Sequence, residues 1–315
     1  MRWWFELRYE SYWHWIDGMI VARIEGGLGN QLFQYAFGTQ LAKNNDSELY
    51  LDLSSYASQP QHGYLLDRFS ITASEISQQD RKRIPARYQN DRRTVFPLIS
   101  LGRKELRRLR ERPFGFADKY LLAPEDSFLV GYWQSERYFR GVACDIRSQL
   151  RPRGPLSPES VRLREKMLGT SSIAVHIRRG DYISTKPMAV RNLSLNYYRE
   201  CVLMQLGKRP DSEVFVFSND MPWCRDNLNL PCPVHFVEHT DTATAHEDLW
   251  LMTAADSVVM ANSTFSWWGA YLGEREERTI YAPESWYHPN TLDDRFINCE
   301  NWIRVSDPAV ERQAA

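Results

Sequence analysis

The sequence predicts an α/β protein built from two Rossmann-like domains that face each other across a cleft. Three observations support that class. Residues 19 to 53 read as strand, glycine loop, helix and strand; a cluster of three prolines and a glycine interrupts the chain at 151 to 158; and beyond it short apolar strands alternate with helical segments. Such alternation marks parallel sheets covered by helices on both faces. A chain of 315 residues also exceeds the usual single core, so two domains are the natural arrangement.

Taken in order, "MIVARIE" (19 to 25) is a buried strand, "GGLGNQ" a tight loop, "LFQYAFGTQLAK" (32 to 43) an amphipathic helix and "ELYLDL" (48 to 53) the next strand. The spacing of "VFPLISLGRKELRRLRER" (95 to 112) predicts a helix, and "DSFLVGYWQSERYF" (126 to 139) a strand running into an aromatic turn. "RPRGPLSP" reads as a linker. Ser157 then caps a helix with Pro158 at its first position, and Gly169 stops it. Strands "SIAVHIR", "EVFVFS", "VHFVE", "SVVMA" and "RTIYA" follow, with helices near 195 to 206, 220 to 228, 245 to 255 and 266 to 273. The expected organisation is an N-terminal extension (1 to 18), a first α/β domain (19 to 153), a second α/β domain (154 to 305) and a tail (306 to 315).

Composition excludes several classes. Hydrophobic residues make up 43% of the chain, enough for real cores, and the net charge of −1 argues against a nucleic-acid binder. Residues 81 to 112 nevertheless carry 12 Arg or Lys against 3 Asp or Glu, which gives either a solvated face or a patch for an anionic membrane surface. Five cysteines without a CxxC pair suggest reduced thiols in the cytoplasm. No apolar run reaches the roughly 18 residues of a membrane span. The Trp-rich leader lacks the apolar core and cleavage site of a signal peptide.

Ligands of open parallel sheets sit at the carboxyl ends of strands. Arg178 and Arg179, in "SIAVHIRRGDYIS", lie at such an end, where a guanidinium forks two charge-assisted bonds onto phosphate; an ion pair with Asp181 is the structural alternative. In "SVVMANSTFSWWGAYL" (257 to 272) a strand ends at Ala261 and a helix starts near Phe265. Its free N–H groups and the Ser263, Thr264 and Ser266 hydroxyls form a second anion site, or a plain cap. In "GGLGNQ", Gly27 and Gly29 fit two glycines of a dinucleotide fingerprint, with Asp52 as a ribose binder, but Leu32 occupies the third glycine position. No Asp-x-Asp pair occurs. In "HFVEH" (235 to 239) the histidines would stand about 13 Å apart on a strand, too far to share a metal, so no metal site is expected.

These motifs together resemble the α-1,2-fucosyltransferases of glycosyltransferase family 11, from about Met19 to Trp302. The resemblance rests on "GGLGNQLFQYAFG", "GYWQSERYF" (131 to 139), "HIRRGDY" (176 to 182), "VFSND" (216 to 220) and "EDLWLMTAADSVVMANSTFSWWGAYL" (247 to 272). It implies a GT-B-like fold and inverting transfer of L-fucose from GDP-β-L-fucose to the 2-hydroxyl of a terminal galactoside, with no cofactor and no metal. In place of a cation, Arg178, the backbone around Thr264 and Phe265, and Ser263 and Ser266 would neutralise the departing β-phosphate. His176 would contact the nucleoside, Arg179 and Asp181 would shape the loop and reach the fucose, and Asn30 would stand near the reacting centre. Asp220, Gly27 and Gly29 would belong to the donor site, and Asp248 or Asp256 would pair with the guanine edge. The stretch "YISTKPMAV" after the arginine motif contains no acid, which leaves Asp181, on nearness alone, as the candidate catalytic base.

The acceptor expected from this resemblance is a galactose-terminated oligosaccharide, lipid-linked in surface-polysaccharide or O-antigen assembly, with residues 81 to 112 resting on the inner face of the cytoplasmic membrane. The competing functions are a nicotinamide-dependent oxidoreductase using "GGLGNQ" and Asp52, and a catalytically silent module binding nucleotide sugars or glycans.

Overall fold

The computed structural model describes residues 18–57, 63–85, 88, 105–179, 190–238, 244–273 and 277–308. The first half of the chain holds strands β1 (Met19–Arg23), β2 (Glu48–Asp52), β3 (Ser74–Glu75), β4 (Arg107–Arg110) and β5 (Ser127–Val130), with helices α1 (Leu28–Asn44), α2 (Gln78–Arg81) and α3 (Ala143–Gln149). Their sheet has the order β3-β2-β1-β5-β4, and every pairing is parallel.

The second half contributes α4 (Pro158–Gly169), β6 (Ser172–Ile177), α5 (Leu195–Lys208), β7 (Glu213–Ser218), α6 (Met221–Asn227) and β8 (Val234–Phe236). It continues with α7 (Ala245–Met252), β9 (Ser257–Val259), α8 (Thr264–Tyr271), β10 (Thr279–Pro283) and β11 (Ile303–Val305). Here the order is β11-β10-β9-β6-β7-β8, again parallel throughout. β6 is buried along its whole length, as expected for a central strand between two helical layers.

Each sheet reverses its winding once. From β1 the chain moves outward through β2 and β3, then returns with β5 on the other flank of β1; from β6 it moves through β7 and β8, then returns with β9 on the other flank of β6. These reversals open a crevice at the carboxyl ends of neighbouring strands.

An aromatic wedge joins the halves. Phe33 of α1 lies 4.6 Å from Trp267 and 5.0 Å from Trp268 of α8 between ring centroids. Phe139 stacks on Trp268 at 5.4 Å, and the Trp268 indole N–H donates to the Gly29 carbonyl at 3.0 Å. Both tryptophans are fully buried in one apolar cluster that spans the two sheets, so Trp267 and Trp268 serve packing, and the indole N–H has the partner that a buried Trp requires.

Two expectations of local structure change, and two further segments are more firmly tied than the sequence suggests. Helix α1 starts at Leu28, inside the stretch read as a loop; Gly27 is its N-cap and offers no side-chain signal. Residues 107 to 110, read as helical, form the edge strand β4, whose arginines discourage further strand pairing; residues 95 to 104 lie outside the described set. The expected linker is pinned on both sides. Pro152 bridges to Phe69 and Arg153 N–H donates to the Arg68 carbonyl, while Ser157 caps α4 and bonds to Glu247. Lastly, Asp307, assigned to the tail, accepts from the Ser194 N–H and hydroxyl.

Candidate active site

The two winding reversals face each other. At the second sheet, Arg178 follows β6, and Asn262 to Thr264 follow β9 to start α8. At the first sheet, Gly26 to Asn30 follow β1, and Gly131 to Gln134 follow β5. The amino ends of α1 and α8 meet directly. A Cβ built on Gly29 would lie 2.5 Å from the Thr264 carbonyl carbon and 2.6 Å from Phe265 N, so only glycine permits this approach. Gly26 takes φ +77° to turn the chain from β1 into α1.

On the second sheet the structure places His176 and Phe265 together, ring centroids 5.3 Å apart, with His176 4% exposed. Arg178 stands half-buried just beyond the end of β6. Ser263 is the N-cap of α8, and its hydroxyl oxygen accepts from Phe265 N–H. Thr264 and Phe265 are half-buried in the first turn. A helix start beside a guanidinium suits an anion, because unpaired N–H groups and the helix dipole both favour negative charge there.

Several candidate residues are tied into the scaffold. Arg179 is committed to its own scaffold: its N–H donates to Asn219 Oδ1 at 3.0 Å, its guanidinium pairs with Asp220 at 3.5 Å, and it lies 3.6 Å from the centre of the Trp223 ring. Asp220 also caps α6 by accepting from Trp223 N–H. The Ser266 hydroxyl is fully buried and donates to the carbonyls of Ala261 and Ser263, so it offers no proton to a phosphate. Asp256 precedes β9 and accepts from the Ser172 N–H at the amino edge of the sheet, the opposite end from the crevice. Asp248 lies in the first turn of α7, 4% exposed. Asp181 lies outside the described residues.

On the first sheet, Gly27 and Gly29 separate in role. Space beside Gly27 is open, whereas Gly29 is filled by α8. Asn30 accepts from Gln134 Nε2 at 3.0 Å, and Gln134 accepts from the Tyr287 hydroxyl at 3.2 Å. This bridge links both sheets across the cleft. Gln31 instead braces the 63 to 65 loop through Gly63 and Leu65. Asp52 pairs with Arg23 and Arg81 and accepts from Ser54, so no ribose hydroxyl finds it free. Gln134 and Tyr287 were missed as site residues; Gln134 obeys the same strand-end rule that located Arg178. Among the described residues no three His, Cys, Asp or Glu gather as metal ligands, and no helix is long and apolar enough to cross a membrane.

Two facing parallel sheets with an anion-suited crevice define a GT-B-like glycosyltransferase architecture. Comparison with known proteins agrees: the model of glycosyl transferase family 11 matches residues 16–306, and the chain belongs to that family. An Escherichia coli α-1,2-colitosyltransferase is 32% identical over 91% of this chain and 99% of its own length. The galactoside α-(1,2)-fucosyltransferase 1 of Lagothrix lagotricha is 29% identical over 82% of this chain and 65% of its own. Among solved structures, fucosyltransferase NodZ from Bradyrhizobium superposes with a TM-score of 0.50 at 14% identity, covering 81% of this chain and 92% of that one, a likeness of fold. The enzyme is thus a glycosyltransferase, which sets aside the oxidoreductase and the silent module.

Proposed function

We propose that the protein transfers L-fucose from GDP-β-L-fucose to the 2-hydroxyl of a terminal galactoside with inversion, in surface-polysaccharide or O-antigen assembly. The observation that carries this reading is the meeting of the α1 and α8 amino ends at Gly29 and Thr264, which sets the β6–β9 crevice opposite that of β1 and β5. A diphosphate bound at Arg178 and the α8 amino end would direct its sugar toward Asn30 and Gln134. Charge that grows on the β-phosphate as the glycosidic bond breaks is met by Arg178, the Thr264 N–H and the Ser263 hydroxyl, a role that needs no divalent ion. His176, against Phe265, would hold the nucleoside, and Asp248 is the remaining acid for the guanine edge. Gly27 leaves the backbone accessible beside the sugar. Acceptor and donor thus enter from opposite sheets, as an in-line displacement requires.

A second donor has a specific observation in its favour, the 32% identity to an α-1,2-colitosyltransferase. Colitose is fucose without its 3-hydroxyl. A site that hydrogen-bonds this hydroxyl rejects the deoxy sugar by a factor of about 10⁴ or more, whereas an apolar one accepts both. Incubating the enzyme with GDP-fucose or GDP-colitose, a β-galactoside such as lactose, and EDTA tests the proposal. GDP release that depends on acceptor, with an α-1,2 linkage by NMR, is expected. Activity with neither donor, or only after adding Mg²⁺, would overturn the corresponding part.

A further inference from the structure

Asp181, the acid nearest the arginine motif, lies outside the described residues, but the first sheet places a half-buried acid at its carboxyl edge. Glu111 directly follows β4. Its Oε2 accepts from Tyr132 N–H at 2.7 Å and Trp133 N–H at 3.1 Å. Among the described residues its Oε1 has only the Gly115 N–H, at the long distance of 3.5 Å. Although Arg107, Arg108, Arg110 and Arg112 surround it in sequence, it forms no ion pair among the described residues. An acid fixed by one oxygen and left open at the other differs from its neighbours. Asp52 is held by Arg23 and Arg81, Glu75 by Arg81, and Asp220 by Arg179.

Its position fits the chemistry. The backbone that Glu111 grips is the turn after β5, where Trp133 takes φ +56°, a conformation uncommon for a bulky residue. The next residue, Gln134, makes the bridge to Asn30 and Tyr287. The Glu111 carboxylate therefore holds the Trp133 turn, one residue before Gln134 of that bridge. In an inverting displacement the nucleophile approaches on the face opposite the leaving group. With GDP held by the second sheet, the acceptor and its base must come from the first.

We infer that Glu111 is the general base of the transfer, with Oε2 anchored to the 132–133 turn and Oε1 taking the proton. This rests on the proposed transferase reading. The acceptor hydroxyl proton passes to Oε1 as its oxygen bonds to the sugar C1; the C1–phosphate oxygen bond breaks, its electron pair leaves with GDP, and the proton is then lost to water. Burial raises the Glu111 carboxyl above the ordinary range against the opposing Trp133, Tyr132 and Gly115 N–H groups, the direction that suits a base near neutral pH. The ionisable groups around it are Tyr132 and Tyr138, which feel its charge, Glu25, which also acts on Tyr132, Arg110 and Arg112 beside it in the chain, and Asp293 against Gly115.

The test is Glu111→Gln. The amide oxygen can still accept from Tyr132 and Trp133, while the NH₂ replaces Oε1 and cannot take a proton. Expected are a fall in kcat of about a hundredfold or more, loss of the acidic limb from the pH profile of kcat, and wild-type GDP affinity by calorimetry. Turnover within threefold of wild type overturns the inference. So does a large loss with the acidic limb intact, which marks a positioning role only, or a loss seen in Glu25→Gln and not in Glu111→Gln. Wild-type enzyme inactive with both GDP-fucose and GDP-colitose would instead bring down the functional reading itself.

Discussion

The two crevices are built from opposite chemistry. The second sheet offers Arg178 and the amino end of α8, both suited to negative charge; the first offers the amides Asn30 and Gln134 and the acid Glu111. The difference teaches how one cleft can separate its tasks. Phosphate charge is best met by groups that stay cationic, whereas a sugar hydroxyl needs neutral partners and a proton acceptor. Glycine at position 29 lets the two environments approach without mixing.

Breaking the cationic side should have the largest effect. Arg178→Ala is expected to keep its circular dichroism spectrum and to lose about a hundredfold or more in kcat, as removal of a preorganised donor does; near-normal turnover would defeat its assignment. The seam comes next. Gly29→Ala should lower stability by about 1–3 kcal/mol in urea unfolding, because the added methyl meets α8 backbone. Gly27→Ala, with open space beside it and φ −73°, should leave stability unchanged and weaken donor binding. Equal effects of the two substitutions would erase the distinction drawn between them.

The two acids of the second sheet separate in the same way. Asp256→Asn should cost about 1 kcal/mol through weakened bonds to Ser172 and leave GDP affinity intact. Asp248→Asn should weaken GDP relative to UDP in calorimetry. A GDP defect in Asp256→Asn would contradict its place at the amino edge.

The smallest effects concern pH. Burial acts to raise the Glu247 carboxyl, but bonds from Ser160 and Ser157 outweigh it and hold the group below the ordinary range. The folded state therefore binds this proton less readily than the unfolded chain, so its stabilisation is present above the ordinary carboxylate value and is lost as pH falls through the lowered one. Glu111 has the opposite sign: its raised value in the folded state favours folding when protonated, and that contribution fades as pH rises through it. Urea midpoints measured from pH 3 to 7 should show Glu247→Gln flattening the acid side and Glu111→Gln removing a small loss on the neutral side.

Much of this was legible in the sequence where side chains carry the signal. Ser157 and Pro158 announce α4, and apolar runs announce β6, β7 and β9. The start of α1 was not, because Gly27 caps with backbone alone. β4 was hidden because "RRLR" has the composition of a helix, and only its edge position accounts for the charges; Glu111 was hidden with it. The place of Asp256 is legible too: it precedes its strand, on the side away from the carboxyl ends where ligands sit. The partners of Arg179, namely Asp220 and Trp223, lie some 40 residues away and come together only when β6 and β7 pair.

The aromatic wedge between α1 and α8 has a mechanical consequence. Domain rotation is the default where an interface is small and polar, but here indole, phenyl and phenol rings interlock and the connecting segment is tied at both ends. Catalytic turnover should then proceed in a rigid frame, and small-angle X-ray scattering curves of the free and GDP-loaded enzyme should superimpose.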